Sequence, residues 1–282
     1  MKKLILAILV FASVTQKAVG DDVFMAPPER SKHRIYFLWG YTRAWYSQST
    51  IHFKDLSNKY HPKTGNYNNY DFTVYNVSAH DRPKFVWQRD IINFSIPQFV
   101  CHMGIYLNDK WDFELSYDHT KYVVDDWQHT KITGQIFGKP VNGDTIMEPN
   151  HFLHFEHTDG ANFAMFSPVR KFKLLKKDGI FSLNAVLKPG AGFVYPRTDV
   201  TLFGEELNNN WHIAGWIVGA EGGVRMRFWD KLCLEITGKY TYANYARCLV
   251  LGAGNGRASH QIRTTQFTVM LGYQFKGKKL KP

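Results

Sequence analysis

The chain has 282 residues and a formal net charge of +11, with 44% hydrophobic and 16% aromatic residues. Its three cysteines, Cys101, Cys233 and Cys248, are too few and too unevenly spaced for a disulfide framework or a zinc site, so we interpret them as packing residues. The basic residues are dispersed along the chain, which argues against nucleic acid as a partner and favours contact with anionic lipid head groups.

Residues 1–20 have the pattern of a secretory signal peptide. A basic head precedes an apolar run over 4–12, and Ala18 and Gly20 have the spacing that a signal peptidase needs. The apolar run is far shorter than the roughly 20 residues of a membrane helix. We therefore expect export with cleavage near Gly20, followed by a short periplasmic lead-in over residues 21–33.

From residue 34 onward the chain alternates apolar and polar residues with the period of β-strands. In the first half, the predicted strands are 35–53, 70–74, 99–107 and 113–117, with turn-rich segments at 54–69 and 81–98 and a tight turn at 108–110. Residues 125–154 are long, polar and irregular, with strand character at 131–137, and 155–172 are again strand-like.

The second half alternates more cleanly. Its predicted strands are 181–187, 216–228, 232–242 and 266–275, with tight turns at 176–179 and 229–231 and longer loops at 196–210 and 249–261. The closing strand places five apolar residues on one face, namely Phe267, Val269, Leu271, Tyr273 and Phe275. Such a face meets either a protein core or, in a membrane barrel, lipid.

We predict an all-β fold, a single antiparallel transmembrane β-barrel over residues 34–275 with a basic tail at 276–282. Tight turns alternate with long loops, as periplasmic turns and surface loops do in outer-membrane barrels, and aromatic residues are plentiful enough for interfacial girdles. The nine obvious strands are an odd number, so either the run 34–53 is two strands or one strand is miscounted. We expect about ten strands, with eight and twelve open. The rival fold is a soluble, secreted β-sandwich or lipocalin-like barrel.

The polar face of the predicted strands carries both signs of charge. In a small barrel such groups pair with one another and fill the lumen instead of lining a pore. The residues concerned are Glu114, Asp118, Glu221, Arg225, Arg227, Glu235, Lys239 and Arg247.

Four runs carry a resemblance to known proteins: Trp39-Gly40-Tyr41 with Ser49–Phe53, Tyr70–Thr73 with Ala79–Pro83, Asp118–Val124, and His157–Asn162. The chain resembles bacterial outer-membrane β-barrel proteins, in particular uncharacterised barrels of the Bacteroidota. The resemblance implies a barrel in the bacterial outer membrane, with outer-membrane lipid and the barrel-insertion machinery as partners. It implies no particular activity.

Three polar runs lie near the outer ends of predicted strands and could meet at the extracellular rim, namely 80–82, 118–121 and 157–162. Acyl-ester hydrolysis of lipid A or phospholipid there needs a base, an orienting carboxylate and donors for the oxyanion. The candidates are His157 or His119 as the base, Asp159 or Asp118 as the orienting group, and Asn162 or Lys121 as the donor. No Gly-x-Ser-x-Gly motif supplies a nucleophile, so an activated water would be required, and a bound divalent cation could provide it.

Histidines and carboxylates at a barrel rim fix loops through hydrogen bonds, or bind lipopolysaccharide phosphates, more often than they catalyse a reaction. The candidate binding residues are His80, Asp81, Arg82, Lys121 and Asn162. We therefore predict a structural or surface-recognition role without a cofactor or a metal site, and a lipid A or phospholipid acyl hydrolase as the alternative.

Overall fold

In the computed structural model of the chain, the described residues are 35–61, 65–82, 98–157, 159–177, 180–250 and 256–275. The predicted signal peptide, the lead-in over 21–33, the tail over 276–282 and most of the loop over 81–98 lie outside them. Within the described part of the chain, no helix is long and apolar enough to span a membrane.

The described residues form nineteen β-strands. In chain order they are β1 (Ile35–Tyr46), β2 (Ser49–Asp55), β3 (Tyr60–His61), β4 (Asn66–Tyr67), β5 (Tyr70–Val77), β6 (Ala79–His80), β7 (Phe99–Tyr106), β8 (Trp111–Asp118), β9 (Tyr122–Val124), β10 (His129–Ile136), β11 (Lys139–Ile146), β12 (Leu153–His157), β13 (Phe163–Lys177), β14 (Phe181–Val194), β15 (Asp199–Leu202), β16 (Glu205–Asn208), β17 (Gly215–Phe228), β18 (Leu232–Leu249) and β19 (Arg257–Phe275).

Eight of these strands close an antiparallel ring. Their order is β1, β7, β8, β13, β14, β17, β18 and β19, and β19 pairs back onto β1 from Ile35↔Phe275 to Tyr46↔Thr264. Eight lies within the predicted range of strand numbers. The run 34–53 is indeed two strands, and only β1 belongs to the ring, while the predicted strand at 70–74 pairs outside it as β5.

The exterior of the ring is apolar and its interior is polar. On β19, Phe267, Leu271 and Phe275 are 51%, 68% and 52% exposed, whereas the intervening Thr268 and Gln274 are buried. In a soluble barrel or sandwich the apolar face would be the buried one. The inverted arrangement is that of a membrane barrel, in which lipid covers the apolar face.

The two ends of the ring differ in their connections. At one end the strands are joined by short turns, including 107–110 and 229–231, and the first and last residues of the ring, Ile35 and Phe275, lie side by side. At the other end the connections are long and contain further strands. Because outer-membrane barrels have short periplasmic turns and long surface loops, the second end faces the cell exterior.

The long connections fold into a second unit of structure, which we call the outer module (β2–β6, β9–β12 and β15–β16). Strands β2, β5, β10 and β11 continue the sheet from the upper part of β19, and a five-stranded sheet of β6, β9, β12, β15 and β16 packs beside them. Their shared core also includes ring residues, and contains among others Phe53, Phe72, Tyr122, Phe155, Leu202, Tyr245 and Ile262.

Candidate functional site

The lumen of the ring is filled by a charged network centred on Lys188. This ammonium donates hydrogen bonds to Glu114 Oε1 at 2.8 Å, to Glu221 Oε1 at 3.1 Å and to Glu235. All four side chains are almost completely buried. Alternation predicted that Glu114, Glu221 and Glu235 face inward, and pairing across the ring brings them to one cation.

A second cation, Arg225, connects the network to the periplasmic half of the lumen. Its guanidinium donates to Asp112 Oδ2 at 3.0 Å and to Glu114 Oε2 at 3.1 Å, and it lies 4.3 Å from the centre of the Tyr36 ring. Towards the outer end, Lys239 donates to Asp118 Oδ2 at 2.6 Å. The interior is therefore packed with paired charges across its width.

Arg227 faces the lumen near the short turns, as predicted, where it is half-buried and donates to Ser182 Oγ at 3.0 Å. One predicted lumen residue lies elsewhere. Arg247 is exposed because the β18–β19 register shifts between Tyr245 and Cys248, which changes the side of the strand on which the following residues lie.

Of the predicted catalytic residues, His119 forms a small cluster with Asn162. The His119 Nδ1 atom lies 2.8 Å from Asn162 Oδ1, and the imidazole stacks on the Phe99 ring with centroids 5.0 Å apart. Asn162 has a φ of 38° and donates from its amide nitrogen to the carbonyls of Gly160 and Tyr195, both at 3.0 Å. Burial lowers the pKa of His119. These contacts fix the chain where it enters β13.

The two predicted orienting carboxylates are engaged with cations. Asp159 forms an ion pair with Arg197 in the β14–β15 connection. Asp118 points into the lumen, where it binds Lys239, whereas His119 follows it on the opposite side of the strand. Among the described residues, no hydrogen bond joins Asp159 or Asp118 to His157 or His119.

His157 lies in the core of the outer module and is fully buried. Its Nε2 atom is 3.1 Å from His260 Nε2, its Nδ1 is 3.2 Å from Thr198 Oγ1, and its ring stacks on Tyr245 with centroids 4.7 Å apart. Burial lowers the pKa of His157 well below its ordinary range, and the nearby His260 adds to the effect. The alternation of residue types along this polar run gave no sign that His157 is buried in a core.

Of the predicted binding residues, His80 and Arg82 connect segments of the outer module, whereas Lys121 contacts Tyr46 of the ring strand β1. His80 Nδ1 lies 2.6 Å from Asp125 Oδ1, and Arg82 Nη2 donates to Glu156 Oε2 at 2.5 Å. The backbone carbonyl of Lys121 accepts the hydroxyl of Tyr46, and burial lowers the pKa of the Lys121 amine.

Asp81, the remaining predicted binding residue, connects the module to the ring. Its carboxylate accepts the backbone N–H of Ala44 at 2.9 Å, the N–H of Arg82 at 3.0 Å and the amide of Gln98. Burial raises the pKa of Asp81 to about 7, although the N–H groups of Ala44 and Arg82 and the charge of Arg43 oppose the shift.

A groove that sequence reasoning missed opens where β1 and β2 part. Strand β19 pairs with β2 over 257–260 and with β1 over 264–275, and the gap between the two partners leaves a space of about 460 Å³, which we call the fork groove. Most of the residues that line it are polar, with Tyr242 and Ile262 beside them, and the polar ones include Ser47, His52, Asn244, His260, Gln261 and Arg263. Ser47 exchanges two hydrogen bonds with the backbone of Arg263, at 2.9 and 3.0 Å.

No family model and no curated protein matches the chain. Among solved structures it is similar to Ail, the attachment invasion locus protein of Yersinia pestis, in complex with the heparin analogue sucrose octasulfate, at 10% identity over 87% of this chain and 100% of that chain, with a TM-score of 0.33. Neisserial surface protein A has 9% identity over 87% and 97% of the two chains (TM-score 0.32), and the Escherichia coli outer-membrane protease OmpT has 11% over 90% and 99% (TM-score 0.33). The closed ring with its apolar exterior and ionic interior makes this chain an outer-membrane-type β-barrel.

Proposed function

We propose that this protein is a non-conducting barrel of the bacterial outer membrane that serves in recognition at the cell surface, with lipopolysaccharide as the ligand of the fork groove. The observation that carries the proposal is the height of the groove on the barrel. It lies where the exterior of β19 changes from apolar residues, ending at Phe267, to the exposed Arg263 and Gln261.

This height is the level of the lipid head groups. The apolar exterior of β19 covers 267–275, about the 9–11 residues that a tilted strand needs to cross the hydrocarbon. On the neighbouring strand, Tyr240 is 55% exposed and marks the aromatic boundary, and the polar Asn244 follows above it. A polar groove at this level faces the phosphates and sugars of the outer leaflet.

The groove has the chemistry to bind such groups. A guanidinium such as that of Arg263 binds phosphate through charge-assisted hydrogen bonds, and the backbone that carries it is held by Ser47. Amides and hydroxyls, supplied by Asn244, Gln261 and the neighbouring serines, bind sugar hydroxyls. The packed outer module supports the groove from above, so little ordering is required on binding.

The alternative, an acyl hydrolase at the rim, is not supported by the arrangement of its candidate residues. A base needs hydrogen-bond contact with an orienting group and access to the substrate. His157 is buried and contacts Thr198 and His260, while Asp159 pairs with Arg197. His119 is held by Asn162, which leaves no described carboxylate to orient it.

Binding of purified lipopolysaccharide by the protein in lipid nanodiscs tests the proposal. We expect Arg263→Gln to weaken binding about tenfold or more, since a charged hydrogen bond contributes about 1.5–3 kcal/mol. Arg170→Gln is the matched control, because Arg170 lies near the short turns beside Trp111. Dephosphorylated lipopolysaccharide should abolish the difference. Equal binding by wild type and Arg263→Gln would exclude the groove as the site.

A further inference from the structure

Three metal-ligating side chains from distant parts of the chain meet where the outer module joins the ring. His157 belongs to β12 of the module, and Cys248 and His260 belong to the upper parts of β18 and β19. One ring nitrogen of each histidine and the cysteine Sγ all lie within 4.8 Å of one another, and all three residues are buried. The chain thus builds this cluster by folding, because no local motif places the three together.

The spacing of the two histidine nitrogens is close to that of a tetrahedral zinc site. Zn–N bonds of about 2.0–2.1 Å and Zn–S bonds of about 2.3 Å place two ligand nitrogens about 3.4 Å apart and a nitrogen and a sulfur about 3.6 Å apart. The His157 and His260 Nε2 atoms are 3.1 Å apart, so a small rotation of either ring would accommodate an ion. Two imidazoles and a thiolate are ligands that suit Zn²⁺ better than Mg²⁺ or Ca²⁺.

The surrounding aromatic rings and one threonine hold the ligands in place. The His260 and His157 rings each stack on Tyr245, with centroids 4.7 Å apart in both cases, and the Phe155 ring meets both histidines edge-on. Thr198 Oγ1 contacts His157 Nδ1 at 3.2 Å, the kind of outer hydrogen bond that orients a ligating imidazole.

We infer that His157, Cys248 and His260 bind one Zn²⁺ ion that clamps the outer module to the ring. The Cys248 thiol releases its proton to solvent as the sulfur–zinc bond forms, and each imidazole donates one nitrogen lone pair. A fourth position remains for an oxygen ligand. The ion would connect β12 to β18 and β19. Neither of these two strands pairs with β12 in a sheet.

The first test uses the unaltered, folded protein, purified without a polyhistidine tag. After removal of metal by a chelator, Co²⁺ is titrated into the detergent-solubilised protein, and the absorption spectrum is recorded. We expect one Co²⁺ per chain, with a thiolate-to-cobalt charge-transfer band that Zn²⁺ displaces and Mg²⁺ does not. Failure to observe this band on folded protein would overturn the inference.

The second test assigns the ligand. Cys248→Ser should abolish the charge-transfer band and lower the affinity for Zn²⁺ by at least about tenfold. That is the smallest loss typical for removal of a group that only hydrogen-bonds to a metal ligand, and loss of a ligand itself should cost no less. Cys233→Ser is the matched control, because Cys233 is also buried but lies near the short turns opposite Gly272. Heat-modifiable gel mobility verifies that both variants fold. If Cys248→Ser fails to fold, Cys101→Ser/Cys233→Ser, in which Cys248 is the remaining thiol, must keep the band. Loss of the band there, or its retention in folded Cys248→Ser, would contradict the assignment.

Discussion

Lys188 shows how single residues decide whether the lumen is stable. Its ammonium is the common partner of Glu114, Glu221 and Glu235, all of which are buried. A buried carboxylate without a partner is strongly unfavourable, and breaking such a pair costs about 3–5 kcal/mol. Loss of the Lys188 ammonium should therefore destabilise the barrel more than loss of any single surface ion pair.

We predict that Lys188→Met lowers the free energy of unfolding by about 3–5 kcal/mol. Urea denaturation, followed by heat-modifiable gel mobility, measures the change. Lys173→Met, which alters an exposed lysine of β13, is the control and should have little effect. Adding Glu221→Gln to Lys188→Met should restore part of the loss, and an equally stable Lys188→Met would show that the lumen is hydrated rather than packed.

His154 predicts a pH dependence of the outer module. Hydrogen bonds to Glu156 and Asp126 raise the pKa of His154 from an ordinary 6.5 to about 9. The protonated ring therefore stabilises the fold fully below about pH 6.5, and this contribution is lost as the pH rises through about 9. Thermal unfolding midpoints of the wild type should fall across this window, and those of His154→Gln should fall less. The exposed His129→Gln should behave as the wild type, whereas parallel curves for all three would refute the coupling.

For single residues, the sequence predicts which side of a strand a side chain faces, but not which other side chains it contacts. Alternation along each strand was sufficient to point Glu114 and Glu235 inward. It could not show that Lys188 reaches both, because these residues are far apart in the chain and meet only across the closed ring. His157 and Asp159 are two positions apart in the sequence and were predicted as a base and its orienting carboxylate. In the structure His157 is buried in the core, whereas Asp159 binds Arg197.

Among the elements, β19 defines where the membrane begins. Leu271 lies in the middle of its apolar exterior and is 68% exposed, whereas Gln261 lies above that band on the same face. A lysine at a lipid-facing midplane position costs about 2–4 kcal/mol, and much less near the interface.

We predict that Leu271→Lys destabilises the barrel in lipid vesicles by about 2–4 kcal/mol, and that Gln261→Lys has little effect. Urea titration of vesicle-embedded protein provides the measurement. Both substitutions add the same charge to the same strand face, so a difference between them reports depth in the membrane. Equal, small effects would mean that lipid does not cover this face.

Strand alternation alone could not assign every element to the ring. The apolar faces of β5 and β8 look alike in sequence, yet Phe72 packs in the core of the outer module and Phe113 faces outward from the ring. The period of two is the same whether an apolar face meets lipid or protein. Turn lengths carried part of the missing information, since the predicted tight turns at 108–110 and 229–231 both join neighbouring ring strands at the same end of the barrel.

For the whole molecule, the packed lumen predicts the absence of a channel. Paired charges from Asp112 to Asp118 occupy the interior at successive levels of β8. We expect the purified barrel to give no stepwise conductance in planar lipid bilayers, with an open porin as the positive control for insertion. Discrete conductance steps from folded protein, absent after heat denaturation, would contradict the filled lumen.

Strand β19 also constrains the order in which the molecule can assemble. It is the last of the described strands, yet it supplies the edge for β1 at one end and for β2 at the other, and both belong to the first part of the chain. Until it arrives, the ring remains an open sheet and the outer module lacks the strand on which it is built. Pairings between such distant segments form slowly, because a long loop must close first. Ring closure and completion of the surface module are therefore a single late event in folding, and a chain interrupted before β19 would lose both.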